Sequence, residues 1–560
     1  MKKIFLGVCV AGSLLSLLQG AAPPQGSGQD IQDVLYVGDG RPTLLRFHLR
    51  DDQRPFRLRW EEWMSRLFRY VDVNGDGSLD RTEAARVPSA NQVKQLFVGG
   101  FLVLGAGQAM AFLPFDQVDA DRNGKVSCDE FLAYFQANGA GPVDTSSSSR
   151  PITMTDYLTD LVMRTLDTNG DGKLSQAELV AAPSLIDRAD TNDDELISTA
   201  EMSGPPFFSP YQYSAGSQVV SKASLILLPG GEGGSRRKGI LEQARALVSR
   251  WDRNEDGKVS PEEGGFTPTQ FAALDRNRNG QLDVLELVRW LSGLPEHEFT
   301  MNLQAGARPG QMRSLANPPG QPSTPLGMLQ LGNVRIQVRS VVSSVARSGF
   351  TPYLLQQFRM VDTTSKGMVS REQLNPRQHF YLVGIFDLAD QNRDGKLTEE
   401  ELRVALDLLQ GASGTQVLLS LNSVGRGLFS MLDTNGDGQL NQRELRNAWD
   451  RLKGFDADGD GAITRAELPL QFQLTVTTGQ VGGYSVPAQP GNPGVLGAAR
   501  VHSGGPVWFR KMDRNGDGDL SRREWLGDRK TFETLDLDGD GLISQDEAEK
   551  GDQRYRAATK

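Results

Sequence analysis

The chain has 560 residues, of which 60 are basic and 70 acidic, so its net charge at pH 7 is −10. This acidic balance argues against a nucleic-acid-binding protein, because such proteins need an excess of lysine and arginine to neutralise phosphates. The two cysteines also exclude a scaffold held together by several disulfide bonds.

The N-terminus has the pattern of a secretory signal peptide. Two lysines precede an apolar run over residues 4–18, which is too short to span a bilayer, since that takes about 20 residues. We expect cleavage between Gly20 and Pro23, which leaves 58 basic and 70 acidic residues and a net charge of −12. We therefore predict export to the periplasm or the extracellular space. Cys128 is then the single cysteine, which fits a bacterial exported protein better than a disulfide-rich animal protein.

Short segments with alternating or clustered apolar residues are spread along the chain. They read as strands and comprise Val34–Leu49, Ala223–Leu228, Phe299–Leu303, Leu331–Val338 and Phe472–Thr477. Stretches rich in Pro, Gly and Ser lie between them, and we interpret these as linkers, at 138–151, 304–327 and 479–506.

Twelve acidic segments, each of twelve residues, begin at residue 72 and recur to the C-terminus. Ten have Asp or Asn at positions 1, 3 and 5, Gly at 6, an apolar residue at 8 and Glu at 12. Calcium takes about six to eight oxygen ligands, which such a loop supplies from the side chains at 1, 3, 5 and 12 and the carbonyl at 7. Gly at position 6 permits the sharp turn. The pattern predicts calcium binding.

Counting one further loop with a single substitution, we predict about eleven calcium sites. Position 7 contributes its backbone carbonyl. The predicted ligands at positions 1, 3, 5, 7 and 12 are Asp72, Asn74, Asp76, Ser78 and Glu83; Asp119, Asp121, Asn123, Lys125 and Glu130; Asp167, Asn169, Asp171, Lys173 and Glu178; Asp190, Asn192, Asp194, Leu196 and Glu201; Asp252, Asn254, Asp256, Lys258 and Glu263; Asp275, Asn277, Asn279, Gln281 and Glu286; Asp390, Asn392, Asp394, Lys396 and Glu401; Asp433, Asn435, Asp437, Gln439 and Glu444; Asp456, Asp458, Asp460, Ala462 and Glu467; Asp513, Asn515, Asp517, Asp519 and Glu524; and Asp536, Asp538, Asp540, Leu542 and Glu547.

Two loops depart from the pattern. The loop at 190–201 has Glu195 in place of Gly, and a left-handed Glu costs about 1–2 kcal/mol, so we expect a weakened site. The loop at 362–373 has Thr364, Lys366 and Gln373 at ligand positions, which puts an ammonium group where the cation should sit. We predict that this second loop binds no calcium.

These loops resemble those of the EF-hand family, and the resemblance, with the flanking helices, covers a little more than half of the chain. It is similar in kind to exported bacterial multi-EF-hand calcium-binding proteins. The resemblance implies helix–loop–helix sites joined in pairs through a short antiparallel strand at position 8. All twelve loops have an apolar residue there, including Val369 of the empty loop. We expect that loop to be retained as the partner of the loop at Asp390.

The loop spacing predicts a mainly α fold with six paired EF-hand modules in two tandem halves, separated by short β segments and Pro/Gly-rich linkers. Loop starts in the second half follow those in the first at similar offsets, which indicates an internal duplication. The predicted domains are a signal peptide at 1–22, an N-terminal β segment at 23–58, pairs 1 and 2 at 59–140 and 151–203, a linker with a strand at 204–235, pair 3 at 236–294, a linker with strands at 295–344, pairs 4 and 5 at 345–412 and 420–470, a linker with a strand at 471–504, and pair 6 at 505–552.

One apolar segment, Leu96–Leu113, resembles a membrane span in composition. It joins two loops that should pair with each other, and a membrane crossing would place them on opposite sides. We therefore interpret it as a buried connection, and we expect no transmembrane span in the mature chain.

No catalytic arrangement stands out, since the four histidines are scattered and no G-x-S-x-G motif occurs. The leading interpretation is a non-enzymatic, exported protein in which calcium is mainly structural and supports binding to another protein or to an acidic cell-surface polymer. Eleven calcium ions would change the mature charge from −12 to about +10. The alternatives are a calcium sensor or buffer, a dockerin-like docking module, and an enzyme with its site in the β segments.

Overall fold

A computed structural model describes residues 30–38, 40–99, 112–148, 154–185, 189–198, 201–202, 223–230, 234–304, 310–314, 324–342, 350–362, 366–376, 378–435, 437–478 and 504–558. Several of the predictions fall outside these ranges. They are the signal peptide, most of the apolar segment at 96–113, most of the linker at 479–506, and residues 363–365 of the loop predicted to be empty.

The helices are short, because most of them only enter or leave a twelve-residue loop. Those that leave a loop begin at position 10, directly after a Ser, Thr, Asp or Asn at position 9 that caps the helix. The α-helices are Arg57–Val71, Arg81–Ala84, Ala90–Gly99, Phe115–Val118, Cys128–Ala137, Met154–Leu166, Gln176–Ala181, Gly234–Trp251, Pro261–Gly264, Pro268–Leu274, Val284–Leu291, Phe350–Val361, Phe380–Ala389, Glu399–Gln410, Leu428–Leu432, Gln442–Arg446, Ala448–Leu452, Val507–Met512, Arg529–Leu535 and Gln545–Ala558. Short 3₁₀ helices cover Ala182–Leu185, Arg371–Gln373 and Lys453–Phe455.

The strands are of two kinds. Some form two larger sheets, and the others, which have two or three residues each, lie inside the acidic loops. In chain order they are β1 (Ile31–Val37), β2 (Thr43–Asp51), β3 (Arg54–Pro55), β4 (Ser78–Leu79), β5 (Val126–Ser127), β6 (Val143–Ser148), β7 (Lys173–Ser175), β8 (Ile197–Ser198), β9 (Ser224–Leu227), β10 (His297–Asn302), β11 (Gln311–Ser314), β12 (Thr324–Pro325), β13 (Met328–Leu331), β14 (Val334–Val342), β15 (Met368–Ser370), β16 (Lys396–Thr398), β17 (Val417–Arg426), β18 (Gln439–Leu440), β19 (Ala462–Thr464), β20 (Leu470–Thr478), β21 (Asp519–Leu520) and β22 (Ile543–Ser544).

Two larger sheets share one apolar core. The first has seven strands in the order β12-β11-β10-β2-β1-β9, with β3 beside β2, and the second has five in the order β13-β14-β20-β17-β6. Alternate residues of each sheet meet in this core, and the ring of Tyr36 lies edge-on to that of Phe472 at 6.4 Å. Three strand pairs are parallel, namely β2 with β10, β14 with β20, and β6 with β17. The sheets are thus assembled from segments far apart in the chain.

The prediction of a mainly α fold is therefore wrong. Helices account for 43% and strands for 23% of the structure, and the strands form a sandwich, which is more than the short β segments expected between modules. The error arose because the apolar alternating segments are brief, and many of them pair with segments far away in the chain, as β9 does with β1 and β6 with β17. Parallel partners are joined by long connections, and sequence pattern does not show which distant segments come together.

The six consecutive loop pairs of that fold prediction are also not all formed. Four neighbouring pairs do join at position 8, through Leu79 with Val126, Val259 with Leu282, Val369 with Leu397, and Leu520 with Ile543. The other four loops pair crosswise, with Leu174 opposite Ile463 and Ile197 opposite Leu440. Each of these crosswise pairs joins one loop from the first half of the chain to one from the second. We call the four loops and their helices the interleaved unit.

The helical modules have separate cores that also combine the two halves. The loops at Asp72 and Asp119 share a core with those at Asp362 and Asp390, and Trp63 donates its indole N–H to the Leu408 carbonyl at 2.8 Å. The interleaved unit has one core of its own. The pair at Asp252 and Asp275 packs on the outer face of the seven-stranded sheet, against Leu35 and Val37 among others. The last pair, at Asp513 and Asp536, has a small core. The molecule is therefore not two tandem halves.

Candidate metal centres in the acidic loops

The first Asp of each loop organises the backbone of the turn. In the loop at 72–83, Asp72 accepts N–H groups from Gly75 at 2.8 Å, Asp76 at 3.2 Å and Gly77 at 3.0 Å. The same contact from position 6 to position 1 occurs in the loop predicted to be empty, where Gly367 donates to Asp362 at 2.7 Å. The turn therefore depends on Asp at position 1 and does not require the full set of ligands.

Two positions of the loop have left-handed backbone. Position 6 was expected to be left-handed. Glu195, which replaces Gly at this position, has a φ of 64°, so its loop keeps the turn in a strained form. Position 4 is also left-handed, with Gly75 at a φ of 70° and Arg122 at 59° as examples. The sequence prediction missed position 4, although a second Gly at that place in several loops was a visible signal.

The Glu at position 12 closes the loop onto the following helix. One oxygen of Glu83 accepts N–H groups from Val73 at 3.0 Å and Asn74 at 3.3 Å, and the other accepts that of Asp80 at 3.0 Å. Asp80 at position 9 in turn accepts the Glu83 N–H at 2.8 Å, which completes a capping box. The sequence analysis assigned no role to position 9, although the S-x-x-E pattern at positions 9 to 12 of several loops indicates a capping box.

At six of the closing glutamates these hydrogen bonds lower the pKa of the carboxyl group, whereas burial raises that of Glu524. At Glu178 burial acts to raise the pKa, but hydrogen bonds from Ser175, Asn169 and Thr168 outweigh it and lower the pKa to about 2. A ligand that stays ionised at neutral pH is ready to bind a cation without first losing a proton.

In four loops the structure brings three carboxylates close enough to share one cation. The oxygens of each group lie within 4.8 Å of one another. The groups are Asp119, Asp121 and Glu130; Asp190, Asp194 and Glu201; Asp456, Asp458 and Asp460; and Asp536, Asp538 and Asp540. The loop with Glu195 is one of these, so its left-handed Glu does not prevent the ligands from converging. For the remaining predicted ligands, the assignment to calcium stays a prediction.

The position-7 side chain contacts the paired loop in three of the pairs. Lys125 lies 2.8 Å from Asp76, Lys173 forms an ion pair with Asp460, and Gln281 donates to Asp256 at 2.7 Å. In each case the acid is at position 5 of the other loop. The contact with Lys125, together with hydrogen bonds from Ser78, lowers the pKa of Asp76 to about 2.

The loop at 513–524 is more buried than the others. Burial raises the pKa of Asp517 to about 8 and that of Asp519 to about 6, and neighbouring acids of the same loop add to both shifts. Arg443, from the helix Gln442–Arg446 of the interleaved unit, lies 2.8 Å from Asp519. Asn515 donates to the carbonyl of Asp194 at 3.2 Å. This loop therefore faces the interleaved unit directly.

Family models match much of the helical part of the chain. The model described as an EF-hand domain pair matches residues 108–182, and the model described as an EF hand matches 65–86, 269–292, 382–406, 426–449, 450–468, 507–526 and 529–547. The pair match spans the loops at Asp119 and Asp167, which the structure pairs with other loops.

A calcium-binding protein of the sea urchin Lytechinus pictus, LPS1-beta, is 25% identical over 252 residues, which are 40% of this chain and 80% of that protein. No solved structure matches. None of the helices in the described ranges combines the length and apolarity that crossing a bilayer requires. The repeated loop geometry and the family matches together show that this chain belongs to the EF-hand superfamily and binds calcium through its EF-hands.

Proposed function

We propose that this is an exported multi-EF-hand protein in which bound calcium is mainly structural and maintains a surface for another protein or an acidic cell-surface polymer. The observation that carries the proposal is the crosswise pairing of loops in the interleaved unit. Calcium there would stabilise joints between distant parts of the chain, which is a structural task.

The position-8 residues explain why calcium at these loops would affect the whole fold. Leu174, Ile197, Leu440 and Ile463 are all buried in the core of the interleaved unit. A loop that loses its shape without calcium would withdraw its position-8 residue and open a core to which both halves of the chain contribute. Burial of one such side chain stabilises by about 1.5–3 kcal/mol.

The number of loops adds to this effect. A ligand that binds only the folded state stabilises it by RT ln(1 + [L]/Kd), which is about 1.4 kcal/mol for a site at ten times its Kd. Extracellular modules of this type bind calcium at about 10⁻⁴–10⁻³ M, so the sites would be filled where calcium is millimolar. Export into such a medium would supply the ion.

The proposal includes no catalytic activity. Apolar residues such as Phe47, Phe299 and Leu474 form the shared core of the two sheets. The rings of Phe47 and Phe299 stack at 4.9 Å, as in an ordinary packed interior.

A calcium titration of the chelator-treated protein tests the structural role. Far-UV circular dichroism and small-angle scattering should show a gain of helix and a decrease in radius that saturate near millimolar calcium. The matched control is Lys366→Ala, at exposed position 5 of the loop predicted to be empty, compared with Asp437→Ala at position 5 of the loop 433–444 in the interleaved unit. Only the second should shift the titration. Unchanged helix content and size, with micromolar binding, would instead indicate a sensor or a store.

Two measurements test the finer parts of the proposal. If the N-terminal segment is a signal peptide, the mass of the exported protein should correspond to a start between residues 20 and 23 of the printed sequence. If an acidic polymer is the partner, electrophoretic mobility should change sign between chelator and saturating calcium. A mobility of constant sign would contradict the polymer as partner.

A further inference from the structure

The last pair differs from the others in the residues that contact position 5. In the pairs at Asp72 and Asp119 and at Asp167 and Asp456, a lysine at position 7 of one loop meets the position-5 acid of the other. In the last pair, position 7 of the loop 513–524 is Asp519, an acid, which cannot form an ion pair with Asp540 at position 5 of the loop 536–547. Position 7 of this pair therefore supplies no positive charge to Asp540.

Two arginines of the interleaved unit provide this charge. Arg443 Nη2 lies 3.4 Å from one carboxylate oxygen of Asp540, and Arg446 Nη1 lies 3.8 Å from the other. Arg443 also holds Asp519 at 2.8 Å through its Nε atom. Both arginines belong to the helix Gln442–Arg446, which follows the loop at 433–444. Asp540 is therefore the position-5 acid with a guanidinium group at each of its oxygens.

The two acids held by Arg443 have different roles in a calcium loop. Asp519 is at position 7, which binds calcium through its carbonyl, so its side chain remains free to hold Arg443 when the loop is filled. Asp540 is at position 5, which binds calcium through its carboxylate. Calcium and the two arginines therefore compete for Asp540, while the contact between Arg443 and Asp519 persists.

The arginines are tied to another calcium ligand. Arg443 directly precedes Glu444, the closing residue of the loop at 433–444, whose carboxylate accepts N–H groups from Thr434 at 2.6 Å and Asn441 at 3.1 Å. Calcium in that loop would fix Glu444 and hence the start of the helix that carries both arginines. A fixed helix keeps the positive charges beside Asp540.

We propose that calcium binding at the loop 433–444 and at the loop 536–547 is antagonistic, and that Arg443 and Arg446 are the positioning residues that couple the two sites. This rests on the assignment of both loops as calcium sites. Because coupling between two binding sites is reciprocal, filling either loop weakens the other by the same factor. The loop at 536–547 is then among the last to fill as calcium rises.

The first experiment measures the calcium midpoint of the last pair alone. In the full chain with C9S and C128S, an environment-sensitive dye on K550C reports on the helix Gln545–Ala558, where Lys550 is exposed. E547Q identifies the part of the signal that comes from the loop 536–547. R446M should lower the calcium midpoint of that part about three- to tenfold, because a unit charge near a divalent ion is removed.

The matched control is K511M, which removes the same charge from an exposed position in the last pair, on the helix Val507–Met512. It should shift the midpoint by less than twofold. Equal shifts for R446M and K511M would contradict the proposal, since a general change of charge would then explain the effect. R443M should act like R446M, and it should also loosen the contact through Asp519.

The second experiment tests the coupling itself. E444Q, which weakens calcium binding at 433–444, should lower the midpoint reported by the dye in the parent protein. The same substitution should have no effect when R443M and R446M are both present. If E444Q changes the calcium midpoint by the same amount in the parent and in that double variant, the coupling through the two arginines is contradicted. If no variant, including E547Q, alters a calcium response, the calcium sites themselves are wrong, and this outcome differs from the loss of coupling alone.

Discussion

The pair of loops at Asp252 and Asp275 and the loops at Asp167 and Asp190 have the same spacing, yet only the first two pair with each other. The difference lies in the eleven residues that connect them. In the first case Gly265 has a φ of 67° and ends the helix Pro261–Gly264, after which Thr267 caps a new helix. The chain reverses and brings the second loop back to the first.

The connection between the loops at Asp167 and Asp190 has no glycine. The helix Gln176–Ala181 continues directly into the 3₁₀ helix Ala182–Leu185, so no left-handed residue like Gly265 follows this helix. Loops of the second half of the chain then provide the partners. Loop spacing alone therefore does not determine which loops pair. The connection between two loops decides whether the second can form a strand pair with the first.

The largest expected effect is on the interleaved unit. Ile463→Ala removes a buried side chain at a crosswise pair and should lower the free energy of unfolding by about 2–5 kcal/mol. Leu282→Ala is the matched change in the pair at Asp252 and Asp275, and it should lower the free energy of unfolding by a similar amount. Hydrogen exchange should show opening in residues of both halves for Ile463→Ala and only near residues 252–291 for Leu282→Ala. Equally local opening in both variants would contradict the joining role of the crosswise pairs.

The reversal at Gly265 can be broken directly. Gly265→Ala puts a Cβ on a left-handed backbone and should cost about 1–2 kcal/mol in a chemical denaturation experiment. Gly454→Ala is the control, in the connection between the loops at Asp433 and Asp456, which do not pair with each other; a Cβ there would meet no heavy atom within 4 Å. It should stabilise by about 0.4–1 kcal/mol, because it reduces the freedom of the unfolded chain. Changes of the same sign in the two variants would count against the role of Gly265.

Glu195 offers a third test, inside the interleaved unit. Glu195→Gly relieves a left-handed Glu and should stabilise the calcium-loaded loop by about 1 kcal/mol, seen as a higher calcium affinity. The substitution also removes an ion pair between the half-buried Glu195 and the exposed Arg523 at 3.5 Å. Arg523→Met removes this ion pair together with the contact of Arg523 with Asp193 at 3.0 Å, and so gives an upper limit for the second effect. Because both variants lose the ion pair, a calcium affinity that is lower in Glu195→Gly than in Arg523→Met would contradict the strain at position 195.

The smallest expected effect is the pH dependence of stability that comes from His297, in the seven-stranded sheet on which the pair at Asp252 and Asp275 packs. Burial, with a contribution from Arg41, lowers the pKa of His297 on β10 from 6.5 to about 4. The neutral form is favoured in the folded state, so its contribution is present above pH 6.5 and is lost as pH falls towards 4. Denaturation of His297→Gln at saturating calcium should show a weaker decrease in stability between these pH values. An identical pH dependence in both proteins would exclude His297 as a cause.

The calcium loops could be predicted in detail because their chemistry is local. Ligand spacing, the glycine turn and the apolar position 8 all lie within twelve residues, and pairs such as Val369 with Leu397 follow from them. The sandwich could not be predicted in the same way. β17 carries the alternating Val417, Leu419 and Leu421, a strand signal that we did not use, but its parallel partner β6 lies far away in the chain.

The contacts between modules were likewise beyond sequence pattern. Arg443 is at position 11 of the loop 433–444, where the calcium pattern assigns no role, and nothing near it in the sequence indicates that it reaches Asp519 and Asp540. Such ion pairs depend on how the helical modules pack against one another, and this packing cannot be read from the sequence of any one loop.

The crosswise pairing also has a consequence for how the chain is made. During synthesis the loops at Asp167 and Asp190 emerge long before their partners at Asp456 and Asp433, and β6 emerges long before β17. The high sequence separation of these contacts delays productive folding until most of the chain is available, because distant segments must first meet at a large entropic cost. The nascent protein thus stays unfolded for longer than one with six local pairs, and an unfolded chain is the form that a translocation pore accepts.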